Sequence, residues 1–240
     1  MPAEIQPLSL GFVNGYLAPA GDGFILVDTG MRGQRDVLEK ALSAAGCTPG
    51  RLKLIILTHG DIDHTDNGAY LRQKYGARIA MHALDAPMVA NGDLRPKRIV
   101  KSRLMRLMHA VMRLMGGTER MAANFERFTP DLNLEGGQSL TPFGFDATVH
   151  HLPGHKPGSI GLLARTGELI AGDTLENQGG RPRPTQIVAD EAQLATSLAS
   201  LAKLGITTVY PGHGKPFRWS QFSSGVHALR GYFLPPPRGV

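Results

Sequence analysis

One short apolar run ends in four ionisable residues, and this feature constrains the fold more than any other. The run LKLIIL, residues 52–57, is typical of a strand that is buried on both faces. The segment THGDIDH follows it and contributes, within six positions, His59, Asp61, Asp63 and His64. Ionisable side chains are costly to bury unless they are paired or bind a metal ion. The cluster therefore indicates a functional site at the end of a buried strand.

Runs of strand length alternate with segments of helical periodicity along the chain. The strand-like runs lie at 23–28, 52–57, 77–82, 145–152, 159–165, 167–173 and 207–214. The helix-like segments lie at 35–46, 65–76 and 190–205, and each of them ends at a glycine. We expect one α/β domain over residues 1–230, with a basic helical insertion at about 92–125 and a proline-rich tail at 231–240.

Histidine and aspartate recur where the predicted strands end. The residues at the carboxyl ends of four strands are Asp28, His59, Asp173 and His213. His155 follows a fifth strand by a few positions. Sites in α/β proteins are built at that edge of a sheet, although a single Asp or His there can simply shape a turn. Imidazole and carboxylate suit Zn, Mn and Fe, and the single cysteine, Cys47, allows neither a disulfide nor a thiolate zinc site.

The spacing within the cluster favours two ions. After a strand, side chains at positions i and i+2 can converge on one ion, whereas those at i+4 and i+5 start the next helix and can serve a second. Two ions about 3.5–4 Å apart form a common hydrolytic centre. The cluster supplies four ligands, and the residues that would complete the centre are His155, Asp173 and His213.

The order of the short motifs resembles that of a known family. THGDIDH, PGHKPGS (153–159), AGD (171–173) and PGHG (211–214) are similar in order and spacing to the metallo-β-lactamase superfamily. The resemblance extends from LVDTG (26–30) to about residue 215. It implies an αββα sandwich, in which two mixed β-sheets lie face to face and are flanked by helices.

The resemblance also implies a role for each residue of the site. The ligands of the first ion would be His59, Asp61 and His155. Those of the second ion would be Asp63, His64 and His213. Asp173 would bridge the two ions, Asp63 and Asp173 would be the catalytic carboxylates, and Asp28 would orient the ligands. The commonest family pattern has histidine in place of Asp61, and a carboxylate there favours harder ions. We expect two divalent ions, with Zn favoured and Mn or Fe accommodated at the Asp61 site.

The implied reaction is hydrolysis of an ester-type bond by a metal-bound hydroxide. The segment LPGHKPGSIGLL (152–163) is most similar to the thioesterase and lactonase branch, typified by glyoxalase II and the acyl-homoserine lactonases. Three features argue against glyoxalase II itself: Asp61, Lys156 where threonine is usual, and no recognisable glutathione-binding domain. We predict a small-molecule acyl substrate, either a thioester or a lactone.

The basic charge raises a second enzymatic hypothesis, a phosphodiesterase or nuclease. The formal net charge is +6, and the residues that could contact an anionic substrate are Lys156, Arg181 and Arg183. Lys156, which stands in the thioesterase-like motif, could equally be a solvated lysine, whereas arginines placed like Arg181 and Arg183 are more often solvated loop residues. Aromatic residues make up 6% of the chain, with none of the aromatic and basic interleaving that stacks bases, so a nucleic-acid partner is not expected.

The basic insertion adds hypotheses of its own. On a helix over 97–115, an apolar stripe consists of Val100, Leu104, Leu107, Met108, Val111, Leu114 and Met115. The opposite face carries Arg103, Arg106 and Arg113. We expect the stripe to pack on the domain. The alternatives are a lid over an acyl pocket, a helix on an anionic membrane surface, or, if part of the stripe is exposed, a homodimer contact. A non-catalytic membrane- or partner-binding module is the third function class.

The remaining signals concern location. No stretch approaches the roughly 18 apolar residues of a membrane span, and the first residues lack the features of a secretory signal. We therefore expect a cytoplasmic protein. The histidines that match no ligand position are His82, His109, His150, His151 and His227.

Overall fold

The computed structural model of the chain describes residues 5–93 and 98–223. Its strands are β1 Gln6–Leu10, β2 Val13–Ala20, β3 Gly23–Val27, β4 Leu52–Ile56, β5 Arg78–Met81, β6 Ile99–Val100, β7 Leu132–Asn133, β8 Ala147–His151, β9 Ile160–Ala164, β10 Glu168–Asn177, β11 Arg183–Pro184, β12 Ile187–Val188, β13 Thr208–Gly214 and β14 Phe217–Arg218. Its helices are α1 Arg35–Ala44, α2 Ile62–Thr65, α3 Gly68–Tyr75, α4 Ala86–Asn91, α5 Arg103–Leu114, α6 Gly117–Asn124, α7 Glu191–Leu201 and α8 Trp219–Ser223. The predicted tail and His227 lie outside the described residues.

Two mixed sheets form the body of the protein. The first has the order β1-β2-β3-β4-β5-β7, antiparallel from β1 to β3 and parallel from β3 to β7. The second has the order β14-β13-β10-β9-β8, and β11 pairs with β10 beside it. Within the second sheet only the β10–β13 pair is parallel among the described strands. The predicted αββα sandwich is confirmed.

Side chains that alternate along most of the strand positions separate the layers. Tyr16, Ile25 and Leu54 point between the sheets and share one buried cluster with Val149 and Ile160 of the second sheet. The intervening residues face the opposite way, so both faces of the first sheet are buried, as its apolar runs predict. On that outer face lie the apolar residues of α1 and α3, and α7 covers the outer face of the second sheet.

The structure differs from the sequence prediction where β10 ends. The apolar pattern predicts a strand end at Asp173, but β10 continues to Asn177. Its register against β13 shifts on both sides of Gly172, and pairing resumes at Glu176 with His213. Asp173 therefore lies in an irregular stretch inside the strand, where a bulge re-aims side chains, and His213 likewise lies inside β13.

The insertion begins differently from the prediction. A helix from residue 97 is wrong, because Ile99 and Val100 form β6, which pairs with β12. The helix α5 starts at Arg103, where the Ser102 hydroxyl accepts a hydrogen bond from the backbone N–H of Met105 at 3.3 Å. Residues 94–97 lie outside the described part of the chain.

The expected packing of the apolar stripe on the domain is also wrong. The stripe residues of α5 are solvent-exposed, with Leu104 at 67%, Leu107 at 62% and Leu114 at 89%. The half-buried side of the helix is instead formed by Met105 and His109. No helix in the described ranges combines the length and the apolarity that crossing a bilayer requires.

Candidate metal centre

The THGDIDH segment turns from β4 into α2 and presents its ionisable side chains on both sides of the turn. His59 precedes the turn, Asp61 stands at the N-terminal boundary of α2, and Asp63 and His64 lie inside it. The chain returns to the same edge through His155, Asp173 and His213. The structure thus gathers residues from four separate parts of the sequence.

Two groups of three residues each bring ligand atoms within 4.8 Å of one another. The His59 group consists of His59, His155 and Asp173. The Asp63 group consists of Asp63, His64 and His213. Asp173 lies between the groups, because its carboxylate oxygens are 3.3 Å from His64 Nε2, 3.2 Å from His213 Nε2 and 3.7 Å from His155 Nε2.

The donor atoms fit divalent metal ions. His59 Nε2, His64 Nε2 and Asp173 Oδ1 are buried and have no hydrogen-bond partner among the described residues. Leaving a buried polar atom unpaired costs about 1–3 kcal/mol, so three of them in one cluster require an explanation. Cations held by the two groups would satisfy all three atoms, and imidazole with carboxylate is the donor set of Zn, Mn and Fe.

Asp28 orients the histidines at the floor of the centre. Its Oδ2 accepts a hydrogen bond from His64 Nδ1 at 2.8 Å and another from the Thr58 hydroxyl at 2.8 Å. The Thr58 hydroxyl lies 3.0 Å from His59 Nδ1, so it accepts from that ring while it donates to Asp28. Both imidazoles therefore keep Nε2 free to bind an ion.

The backbone at Asp28 is strained, since its φ of 59° lies in the left-handed region. A non-glycine residue there costs on the order of 1 kcal/mol or more and persists only when its surroundings hold it. The hydrogen bond from the Thr58 N–H to Asp28 Oδ1, at 2.8 Å, is one such constraint.

The other two histidines are oriented by backbone carbonyls. His155 Nδ1 donates to the carbonyl of Ile187 at 2.7 Å, and His213 Nδ1 donates to that of Phe12 at 2.8 Å. With Nδ1 as the donor, the Nε2 lone pair of each ring faces the centre. All four imidazoles thus direct Nε2 toward the centre.

Charge is distributed unevenly over the centre. Burial alone would raise the pKa of Asp173, but His213 and His64 outweigh it and hold that pKa well below its usual range. Burial alone would lower the pKa of His213, but Asp173 and Asp63 raise it to about 9. The pKa of His59 is lowered, chiefly by burial and by neighbouring His64.

Asp61 has a different environment from the other carboxylates. Lys156 Nζ lies 2.6 Å from its Oδ1, and the guanidinium of Arg98 is bonded to its Oδ2. Burial alone would raise the pKa of Asp61, but these two cations hold it well below the usual range. Lys156 is fully buried, so the hypothesis that it is a solvated lysine is wrong.

Two residues of the centre were not predicted individually. Arg98 belongs to a run of seven basic residues, and nothing in the run distinguishes it. Asp85 is fully buried and accepts from the backbone N–H of Gly60 at 2.9 Å and of Gly158 at 2.7 Å. It thereby joins the loops that carry His59 and His155, but in the sequence it is only one residue of the short helix-like segment ALDAPMV (83–89).

The candidate substrate arginines lie outside both groups. Arg183 Nε is 2.6 Å from the buried carboxylate of Glu176, and Arg181 is exposed. The remaining described histidines are also outside the two groups. Among them, His82 stacks on His151 with ring centroids 4.2 Å apart.

Comparison with known proteins gives these residues a family context. The profile of the metallo-beta-lactamase superfamily matches residues 8–213. A hydroxyacylglutathione hydrolase from Anaeromyxobacter dehalogenans is 31% identical over 201 residues, which are 82% of this chain and 60% of that protein. Metallo-beta-lactamase domain-containing protein 1 from Rattus norvegicus is 41% identical over 215 residues, 90% of this chain and 71% of that protein.

A solved structure shows the same arrangement of elements. A metallo-beta-lactamase family protein from Thermus thermophilus is 25% identical and superposes with a TM-score of 0.66, covering 95% of this chain and 79% of that one. The chain spans about three fifths of the length of the hydroxyacylglutathione hydrolase that it matches.

Proposed function

Because the chain belongs to the metallo-beta-lactamase superfamily, we propose that it is a metal-dependent hydrolase whose substrate is a thioester or a lactone. The observation that carries this proposal is the convergence of the His59 group and the Asp63 group on Asp173, with three buried ligand atoms unpartnered among the described residues. Bound ions supply Lewis acidity that activates water near neutral pH. The donor set favours Zn and accommodates Mn or Fe.

Within the centre, Asp63 is the carboxylate best placed to exchange a proton with a substrate. Its side chain is 20% exposed, compared with 10% for Asp61 and 8% for Asp173. Its Oδ2 lies 3.5 Å from His213 Nε2. Asp63 thus joins the ligand set to the open side of the site, whereas Asp173 lies deeper between the two groups.

A carboxylic thioester is favoured over a phosphate ester by the way the cations are paired. Lys156 and Arg98 are both bonded to Asp61, and Arg183 is bonded to Glu176. A phosphate ester is bound through charge-assisted hydrogen bonds from cations, and each of these three cations already contacts a carboxylate of the chain. The similarity to a hydroxyacylglutathione hydrolase supports the thioester, although Asp61 and Lys156 argue against glutathione as its thiol component.

The exposed stripe of α5 supports a peripheral contact in addition to catalysis. Arg103, Arg106 and Arg113 are exposed on the same helix as the apolar stripe, which suits an anionic membrane surface. A purely non-catalytic module is disfavoured, because such a module has no use for converging ligands. The cytoplasmic location and the homodimer contact, both expected from the sequence, stay predictions.

A hydrolysis panel tests the proposal. Acyl and aryl thioesters, lactones, bis-p-nitrophenyl phosphate and a β-lactam are assayed with protein reconstituted with Zn or Mn. We expect metal-dependent turnover of thioesters or lactones. Asp63→Asn should lower kcat by about 100-fold or more with a small change in KM, and the exposed control Asp36→Asn should not. Faster turnover of the phosphate diester than of any thioester or lactone would overturn the proposed substrate class.

A further inference from the structure

One carboxylate of the centre is already bound by two cations of the chain itself. Asp61 is buried, and its two oxygens are divided between Lys156 Nζ, at 2.6 Å from Oδ1, and Arg98 Nη1 on Oδ2. Lys156 is fully buried, with Met88 Sδ as a further neighbour of Nζ at 3.7 Å. The ammonium has therefore no route to bulk water in this arrangement, and its carboxylate partner is fixed.

Arg98 occupies the side of His155 that an ion would use. His155 donates through Nδ1 to the Ile187 carbonyl, so the lone pair of Nε2 is an acceptor. Arg98 Nη1 lies 3.2 Å from that Nε2 and also contacts Asp61 Oδ2, which is 2.9 Å from the same Nε2. One guanidinium nitrogen thus contacts both ligand atoms at once.

The two groups consequently differ in net charge. Asp173 lies between the two groups and contributes its charge to both. The Asp63 group adds the carboxylate of Asp63, whose ion-pair partners among the described residues are His64 and His213. Beside the His59 group, the single charge of Asp61 is more than offset by one ammonium and one guanidinium. A divalent cation at the His59 group meets the ammonium of Lys156 and the guanidinium of Arg98 within a few ångströms, whereas the described residues place carboxylates and imidazoles, but no lysine or arginine, beside the Asp63 group.

We propose that Lys156 and Arg98 act as built-in counter-ions of Asp61, so that the Asp63 group binds the first divalent ion tightly and the His59 group binds a second ion only after Arg98 moves away. Arg98 precedes β6, a strand of two residues held on β12, and its side chain is 17% exposed, so it can leave without unpacking the core. Lys156 stays with Asp61 in both states. The inference rests on the proposed metal centre and concerns its order of loading.

The test is a metal titration that is independent of turnover. Zinc is added in a buffered series to the metal-free full chain, and ions per chain are measured by mass spectrometry of the metal and by calorimetry. We compare Lys156→Met, which removes the buried charge at similar volume, with Arg98→Gln and with the double variant. Matched controls are Lys53→Met and Arg165→Gln, which break the exposed pairs Lys53–Asp22 and Arg165–Asp146.

We expect one tight ion in the wild type, with the second at least about 100-fold weaker. The double variant should tighten the second ion by about tenfold or more, and the controls should not change it. If Lys156→Met does not fold, the affinity of the second ion in Arg98→Gln alone tests the inference. The Arg98 side chain is partly exposed, so its replacement should not prevent folding.

Two results overturn the inference. Two ions of equal affinity in the wild type would leave the proposed hydrolase standing and remove the counter-ion role. A second ion that stays equally weak in the variants would show that these cations do not control it. A wild type that binds no ion would instead overturn the proposed function together with the inference.

Discussion

The carboxylate of Asp28 accepts a hydrogen bond from His64 Nδ1 at 2.8 Å and, through the Thr58 hydroxyl, also supports His59. One residue therefore orients an imidazole in each group of the centre. His64 Nε2 is directed in this way toward Asp173, 3.3 Å away. Asp28, whose backbone is strained, is thus the residue that links the two groups.

Asp28→Asn should weaken metal binding without unfolding the protein. Asparagine has a single acceptor oxygen, so it cannot accept from the Thr58 N–H, the Thr58 hydroxyl and His64 together. Loss of such a supporting residue typically lowers metal affinity 10–100-fold. Competition with a chelator measures the affinity, and Asp22→Asn, at an exposed aspartate, is the control. Unchanged affinity in Asp28→Asn would contradict the orienting role.

A methyl group at Gly212, which lies in β13 of the second sheet, should disturb the candidate metal centre. A Cβ there would lie 2.2 Å from Asp173 Oδ1 and 2.8 Å from His64 Cε1, closer than any ordinary contact. Gly212→Ala should therefore displace the carboxylate between the two groups and reduce both metal content and turnover by about tenfold or more. Gly205→Ala is the matched control, since a Cβ at that position meets no atom within 4 Å. Equal metal content in the two variants would be incompatible with this geometry.

The metal-free protein should lose stability as the pH rises above neutrality. The pKa of His213 is raised from 6.5 to about 9, so its protonated form stabilises the fold fully below pH 6.5, and this contribution is lost as the pH passes 9. The expected loss in the free energy of unfolding is on the order of 3 kcal/mol.

Urea denaturation at several pH values, in the presence of a chelator, measures this loss. His213→Gln should flatten the dependence, and bound metal should abolish it because a ligated imidazole carries no second proton. A metal-free wild type whose stability rises between pH 6.5 and 9 would show that Asp173 and Asp63 do not outweigh burial at His213.

The exposed stripe of α5 should carry the protein to anionic vesicles. We expect flotation with phosphatidylserine-containing vesicles and none with neutral ones. A triple alanine variant of the basic α5 residues should bind about 100-fold more weakly, at about 1 kcal/mol for each charge near the surface. These residues are Arg103, Arg106 and Arg113. A charge-matched control replaces Lys40, Lys53 and Arg165. Binding that is equal in the two triple variants would assign the stripe to a lid or a dimer contact.

The sequence predicts the layers, and it predicts that histidines and aspartates meet at one edge, because both depend on local patterns. Buried strands appear in the sequence as apolar runs. Four of these runs end in a histidine or an aspartate, and these residues meet at one edge of the fold. The end of β10 could not be predicted, since its last residues pair with β13 through register shifts that leave no mark in the apolar pattern. Helical periodicity likewise predicts the stripe of α5 but not whether anything covers it.

The partners of Asp61 were beyond prediction for a different reason. The motif places Lys156 next to His155, but whether a lysine beside a ligand points to solvent or to a carboxylate depends on packing. Arg98 reaches Asp61 because β6 pairs with β12, a contact between segments 87 positions apart at Val100 and Ile187. Seven basic residues of the run were equivalent in sequence, and only this pairing selects one of them.

The position of the metal tests the central claim most directly. Crystals of the protein grown with zinc would be measured on both sides of the zinc absorption edge. We predict an anomalous peak in bonding contact with His64 Nε2, His213 Nε2 and Asp63, beside Asp173. A zinc-soaked crystal that diffracts well and shows no anomalous peak at either the Asp63 group or the His59 group would contradict the account.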